Sequence, residues 1–189
     1  MAGRELEYVE LPIYREQLAS ALKFTPSELA VNRAGRLSDS QRATLHRLIA
    51  RYVGLSIVFI VLTAATVVWA LAIGVGTGLG VRLLLVAAAF LAFPGVFTWY
   101  MVPLWRDVAA GAVSSIEGMV RTTERETDIG TGHGRSFPIW SHYWVVDDSQ
   151  RFPVAGMVYA ALTPARHRVY FLPLTRRIVA AEPASSKNG

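Results

Sequence analysis

Apolar and polar positions are spread very unevenly along this chain. From Tyr52 through Val81 no residue carries a charge. Arg82 interrupts, and Leu83 through Trp105 is charge-free again. Uncharged apolar runs of about 18 residues or more predict membrane-crossing helices, here Val53 to Ile73 and Leu83 to Leu104. The second reaches roughly 33 Å at about 1.5 Å per residue, enough to cross with some tilt. The Leu, Ile, Phe and Val side chains of the first contribute on the order of −4 to −7 kcal/mol of insertion free energy. A pair of soluble core helices is the competing explanation, but so small a chain has no outer layer to bury them. Gly74 to Gly80 alternates glycine with other residues and predicts a tight loop between the helices. A phosphate-binding loop would follow a strand and carry a lysine or an acid at a set distance, which this segment lacks.

The polar segment before the first run shows two helix starts. Thr25-Pro26-Ser27-Glu28 reads as a capping box with proline at the first helical position, and that helix is expected to stop between Asn32 and Gly35. Ser38-Asp39-Ser40-Gln41 is a second capping box, from which one helix is expected to run straight into the first span. Residues 1–24 have helical stretches interrupted at Pro12, fitting either an amphipathic surface segment or a docking element.

After Trp105 the period changes. Val113 to Arg125 predicts a strand with an irregularity at Gly118, residues 126–138 a loop, and Ile139 to Val146 a strong strand. Asp147 to Gln150 predicts a turn, Arg151 to Val154 a returning strand, and Gly156 to Leu162 a short helix. His167 to Leu172 and Ile178 to Glu182 complete the set. The expected fold class is membrane α+β: a two-helix transmembrane hairpin, a helical N-terminal segment, and a small C-terminal β-sheet or partly open barrel. The boundaries expected are 1–52, 53–104 and 105–183, with a disordered tail over 184–189.

Composition sharpens this. Just over half of the residues are apolar and 17% are charged. Cysteine is absent, which excludes disulfides, thiolate metal sites and cysteine nucleophiles. The net charge is +5, and nearly all basic residues are arginine, Lys23 and Lys187 being the exceptions. No basic run with interleaved aromatics makes a nucleic-acid surface, so no nucleic-acid partner is expected. Arg33, Arg36, Arg42, Arg47 and Arg51 precede the first span, and Arg106, Arg121 and Arg125 follow the second. The connection offers only Arg82, so the positive-inside rule places both termini in the cytoplasm. Tyr52, Trp69, Trp99, Tyr100 and Trp105 suit aromatic belts at the span ends. The long polar stretch before the first run predicts an anchor that is retained rather than a cleaved signal.

Within the spans, Phe93-Pro94-Gly95 predicts a bend near Leu91. Ala88, Ala89, Ala92 and Gly95 supply small residues for packing on the first span or on another subunit. No Asp, Glu, Lys, Arg or His lies inside either span, unlike an ion or proton pathway. Ser56, Thr63 and Thr66 are the polar groups an oligomeric pore would use.

The phrase Asn-Arg-x-Gly-Arg-Leu-Ser-x-x-Gln spans Asn32 to Gln41. Val-Tyr-Phe-x-Pro-x-x-Arg-x-Ile-Val-x-x-Glu spans Val169 to Glu182. With a two-span hairpin between them, the chain from about Phe24 onward resembles prokaryotic two-span membrane proteins of uncharacterised role. The resemblance implies a bacterial inner-membrane protein and carries no catalytic residue.

Candidate chemistry is sparse. His46, His133, His142 and His167 lack the close pairing of a zinc site, although His133 and His142 could approach each other. Asp147 and Asp148 fit a turn better than a carboxylate pair across a cleft. Ser141 and His142 are strand neighbours and point to opposite faces. Trp140, Tyr143, Trp144, Tyr159 and Tyr170 are expected to be mostly core. With Arg151, Arg166, Arg168, Arg176 and Arg177 they could instead form an aromatic and basic surface suited to anionic lipid, a nucleotide or an acidic partner. No catalytic, cofactor-binding or metal-binding residue is expected, and no cofactor. The expected partners are the bilayer and other membrane proteins or further copies of the chain. The expected role is a non-enzymatic interaction or sensing module, or an accessory subunit of a larger membrane complex.

Overall fold

The computed structural model describes residues 12–74, 78–131 and 135–184, with the backbone alone for 93, 127–131 and 135–140. Its elements are α1 (Pro12–Leu22), α2 (Pro26–Arg33), α3 (Asp39–Ile73), α4 (Gly78–Ala110), β1 (Ser114–Thr131), β2 (Arg135–Val146), β3 (Gln150–Val154), α5 (Gly156–Ala160), β4 (Ala165–Phe171) and β5 (Ile178–Pro183). They form two compact units. A helical unit spans Arg42–Ala110, and a sheet unit lies within Met1–Gln41 and Gly111–Gly189. The N-terminal helices therefore belong with the strands, whereas the sequence suggests separate segments ending at 52 and beginning at 105.

In the helical unit, α3 and α4 are long and apolar enough to cross a membrane. Tyr52 stacks on Phe97 at 4.6 Å, and Phe59 on Phe90 at 5.8 Å. One number falls as the other rises, so the helices pack antiparallel. Thr63 and Ala70 are buried on α3, and Gly80, Ala87 and Pro94 on α4. These buried positions recur every seven residues, the spacing of a coiled-coil seam. Away from the seam large apolar side chains are bare, among them Leu85 at 67% and Trp99 at 80% exposed. Ala88, Ala89, Ala92 and Gly95 are also exposed, so the expected small-residue face is not the one that packs on α3. Pro94 and Pro103 lie inside one continuous α4. The hydroxyls of Thr63, Thr66 and Thr98 each donate to the carbonyl four residues back at 2.8 Å, which satisfies them without a partner or a pore. Gly78 to Gly80 form the first turn of α4 rather than a loop, while 75–77 fall outside the described residues.

In the sheet unit the strand order is β3-β2-β1-β4-β5, antiparallel throughout, an open sheet. Register sorts the side chains onto two faces. Ile116, Val120, Trp144, Val146, Phe152, Ala165, Val169 and Ala181 share the inner face, which Tyr14 and Leu18 of α1 and Val158 of α5 cover. Pro12 is the first described residue of α1, and the helical stretch expected before it lies outside the described residues. Tyr14 and Leu18 stand one turn apart and are both buried, so this segment docks. Thr25 and Glu28 make the reciprocal capping box expected of them.

One expectation fails here. Residues 126–138 are not a loop: β1 runs on to Thr131 and β2 starts at Arg135, in unbroken register from Val120↔Val146 to Thr131↔Arg135. Pro138 lies in the part of β2 that β3 does not reach, since β3 pairs with β2 only from His142 onward, and proline is tolerated in a strand where its missing N–H would face away from a partner strand. Pro183 ends β5 opposite His167. The remainder of the tail, 185–189, lies outside the described residues. The short helix, the Asp147-Asp148 turn and the returning strand appear where the sequence puts them.

Candidate functional site

The two sequence phrases meet in space. Gly35 sits at φ +74 and Gly111 at φ +63, backbone that glycine adopts without a Cβ penalty. Between these kinks the chain pairs with itself: Val113 N–H donates to Gly35 O and Leu37 N–H to Gly111 O, both at 2.9 Å, with Arg36 bridged to Ala112. The backbone just before α3 is thus stitched to the backbone just after α4. Beside this clasp, Arg33 forms a two-pronged ion pair with Glu182. Tyr170 donates to Glu182 at 2.7 Å, and Gln41 Nε2 donates to Val179 O at 3.2 Å. Burial pushes the Glu182 carboxyl up, but hydrogen bonds from Arg33 and Tyr170 outweigh it and hold it below the usual range. Burial and the Glu182 bond push the Tyr170 hydroxyl up. Glu28 resolves the same way. Desolvation raises it, and bonds from Ser40, Thr25 and Ser38 lower it further than that. Asn32 is 1% exposed, with neither side-chain polar atom paired among the described residues. The two phrases together form a joint.

The outer face of the sheet is different in character. Register places Glu117, Met119, Arg121, Tyr143, Val145, Arg151, Arg166, Arg168 and Tyr170 on it. Arg121, Arg166 and Arg168 are exposed around Met119, itself 43% exposed, and Arg151 is exposed across Val145. Arg166 and Arg168 share Glu117, at 3.4 and 2.6 Å, and Arg121 lies 3.7 Å from Asp148. The basic groups here outnumber the acids. Of the expected aromatic surface, Trp144 and Tyr170 are buried while Tyr143 and Tyr159 are half-buried. Trp140's side chain falls outside the described residues. Arg176 and Arg177 are exposed in the turn between β4 and β5.

The histidines separate. His46 is on α3, and His133 lies outside the described residues, so its approach to His142 does too. His142 stacks on Tyr159 at 4.7 Å with Nδ1 3.5 Å from Glu124. His167 is fully buried. Its Nε2 accepts from the Tyr14 hydroxyl at 2.8 Å, and its Nδ1–H donates to Ala165 O at 2.9 Å. The Tyr14 hydroxyl in turn accepts from Thr163 N–H at 3.2 Å. Sequence reasoning left this network unseen, since nothing local links residues 14 and 167. Asp147 and Asp148, at φ +46 and +54, are the central residues of the turn in the three-residue β2–β3 connection, which Ser149 completes with its N–H on Val146 O. Asp147 Oδ1 accepts from Met119 N–H at 2.8 Å. Among the described residues no group of three or more His, Asp or Glu could hold a metal ion. No protein-family model, curated protein or solved structure matches this chain.

Proposed function

We propose that this chain is a non-enzymatic, membrane-anchored interaction module. In this reading α3 and α4 cross a bacterial inner membrane as a hairpin. Both termini are cytoplasmic, and the outer face of the sheet docks an acidic segment of a partner protein. One observation carries the reading: Arg121, Arg166 and Arg168 flank the exposed Met119, and Arg151 extends the basic stretch across Val145, on the sheet face opposite the one that α1 covers. Basic groups around an apolar centre suit a partner with carboxylates flanking an apolar contact. Such charges steer encounter and select partners more than they add raw affinity. The bare apolar surface of α3 and α4 supports the anchor, because water would penalise it and lipid would not.

Cross-linking tests this directly. The chain has no cysteine, so a single cysteine placed at the exposed Ser149, on the turn beside Arg121's partner Asp148, reports one site. In native membranes it is expected to capture one dominant heterologous protein, with the yield falling as salt rises and when Arg121 and Arg166 become glutamine. Capture of only a second copy of this chain, or of lipid alone, overturns the acidic-partner reading.

A further inference from the structure

We propose that His167 makes the docking of α1 acid-labile, so that α1 is held against the sheet while His167 is neutral and released when it takes up a proton. The geometry admits one neutral tautomer. Nδ1 carries the proton toward Ala165 O, and Nε2 is the acceptor for the Tyr14 hydroxyl. Protonation gives Nε2 its own N–H, so Tyr14 can no longer donate to it; the bond survives only reversed, with the hydroxyl turned to accept and its proton moved off this acceptor. It also places a charge where the side chain is fully buried, and an uncompensated buried charge is strongly disfavoured.

The surroundings offer little compensation. From α1, Tyr14 faces the ring, while Arg15 and Glu16 are exposed. On β1, Gly118 stands opposite, and the Asp147 carboxylate packs against that glycine, engaged with the Met119 N–H. Glu117 is on the other face with Arg166 and Arg168. On β5, Pro183 stands opposite, and Glu182 is on the other face with Arg33. Before β4, Thr163 and Ala165 offer backbone groups alone. Burial accordingly pushes the imidazole below its ordinary value, against a smaller opposing effect from the Ala165 bond. A histidine lowered in the folded state supports docking fully above the free value of about 6.5, and that support fades as pH falls below it. Release bares inner-face residues that Tyr14 and Leu18 now cover. The latch rests on the packing of the sheet unit alone and does not require the outer face to bind anything.

Hydrogen exchange on the full chain in lipid nanodiscs, at pH 7.5 and 5.0 and corrected for intrinsic rates, tests it. Protection of residues 12–22 is expected to fall up to about tenfold per pH unit below about 6.5, while β1 and β2 stay protected. His167→Gln is expected to abolish that slope and His142→Gln to leave it. Tyr14→Phe is expected to weaken docking at every pH and keep the slope. Should His167→Gln not fold, the His167 ring resonance in the native chain decides. Titration below the free histidine value, together with the loss of α1 protection, supports the latch. Unchanged α1 protection, the same slope in His167→Gln, or simultaneous loss of protection across the whole sheet overturns it.

Discussion

A Cβ at Gly118 would run into the carboxylate of Asp147, and this collision explains a glycine in the middle of the central strand. Asp147 leaves the end of β2 in the left-handed region, sends its N–H to Met119 O at 3.0 Å and takes the Met119 N–H on its own Oδ1. The side chain thus stands in for a strand partner. Sequence reading marks Gly118 as an irregularity, yet β1 pairs with β4 without interruption there, and the register shift falls at Tyr170 and Phe171 instead. A glycine in a strand signals close approach as readily as a bulge, and only the fold shows which. Gly118→Ala is expected to push Asp147 off Met119, losing an exposed hydrogen bond worth about 0.5–1.5 kcal/mol. Denaturant unfolding of the detergent-solubilised chain, followed by tryptophan fluorescence, checks it. Asp147→Ala should cost a similar amount, and the double variant should cost less than the sum, because both act through one hydrogen bond.

Among the elements, helices with local signals were the most legible. The Thr25 capping box, the helix running from Asp39 into the first apolar stretch and the short helix at Gly156 follow from caps and periodicity alone. The β1–β2 arm was misread because glycine and Pro138 punctuate a segment whose pairing is decided across the hairpin, where context outweighs propensity. The joint between α2 and β5 was not legible either: Arg33 and Glu182 lie far apart in sequence, and neither has a local reason to be an ion pair. Arg33 is 55% exposed at its side chain and Glu182 only 16%, so the pair itself adds less than about 1 kcal/mol at neutral pH. Its signature is on the acid side. A carboxyl lowered in the folded state contributes stability above the free value of about 4.3, and loses it as pH falls through the folded value. Glu182→Gln is expected to flatten thermal stability between pH 5 and 3 without removing the slope due to Glu28, which is lowered as well. A native acid slope left unaltered by Glu182→Gln would mean that Glu182 does not stabilise this joint.

At the scale of the whole molecule, chain topology constrains orientation independently of charge. The sheet unit draws on both ends of the chain. Leu37 pairs with Gly111 and Gly35 with Val113, while Tyr14 reaches His167. Segments on opposite sides of a bilayer could make none of these contacts, so an even number of crossings between them is required, and two helices of sufficient length are present. Which side would hold the sheet is a separate question, and the proposed side rests on the arginines. Arg33, Arg36, Arg42, Arg47 and Arg51 lie nearest before the first span and Arg106, Arg121 and Arg125 nearest after the second, against Arg82 in the connection, a bias that the positive-inside rule reads as cytoplasmic. The two arguments predict distinguishable labelling patterns. A single cysteine at Thr77, a position outside the described residues, is expected to react with an impermeant thiol reagent on intact cells. One at Ser186, also outside them, is expected to react only after permeabilisation. The reverse pattern would invert the orientation yet leave the hairpin standing, since the two positions would still lie on opposite sides. Equal reactivity at both would remove the hairpin itself. The paired ends of the sheet unit would then have to be reached without any crossing, with α3 and α4 covered by protein instead of lipid.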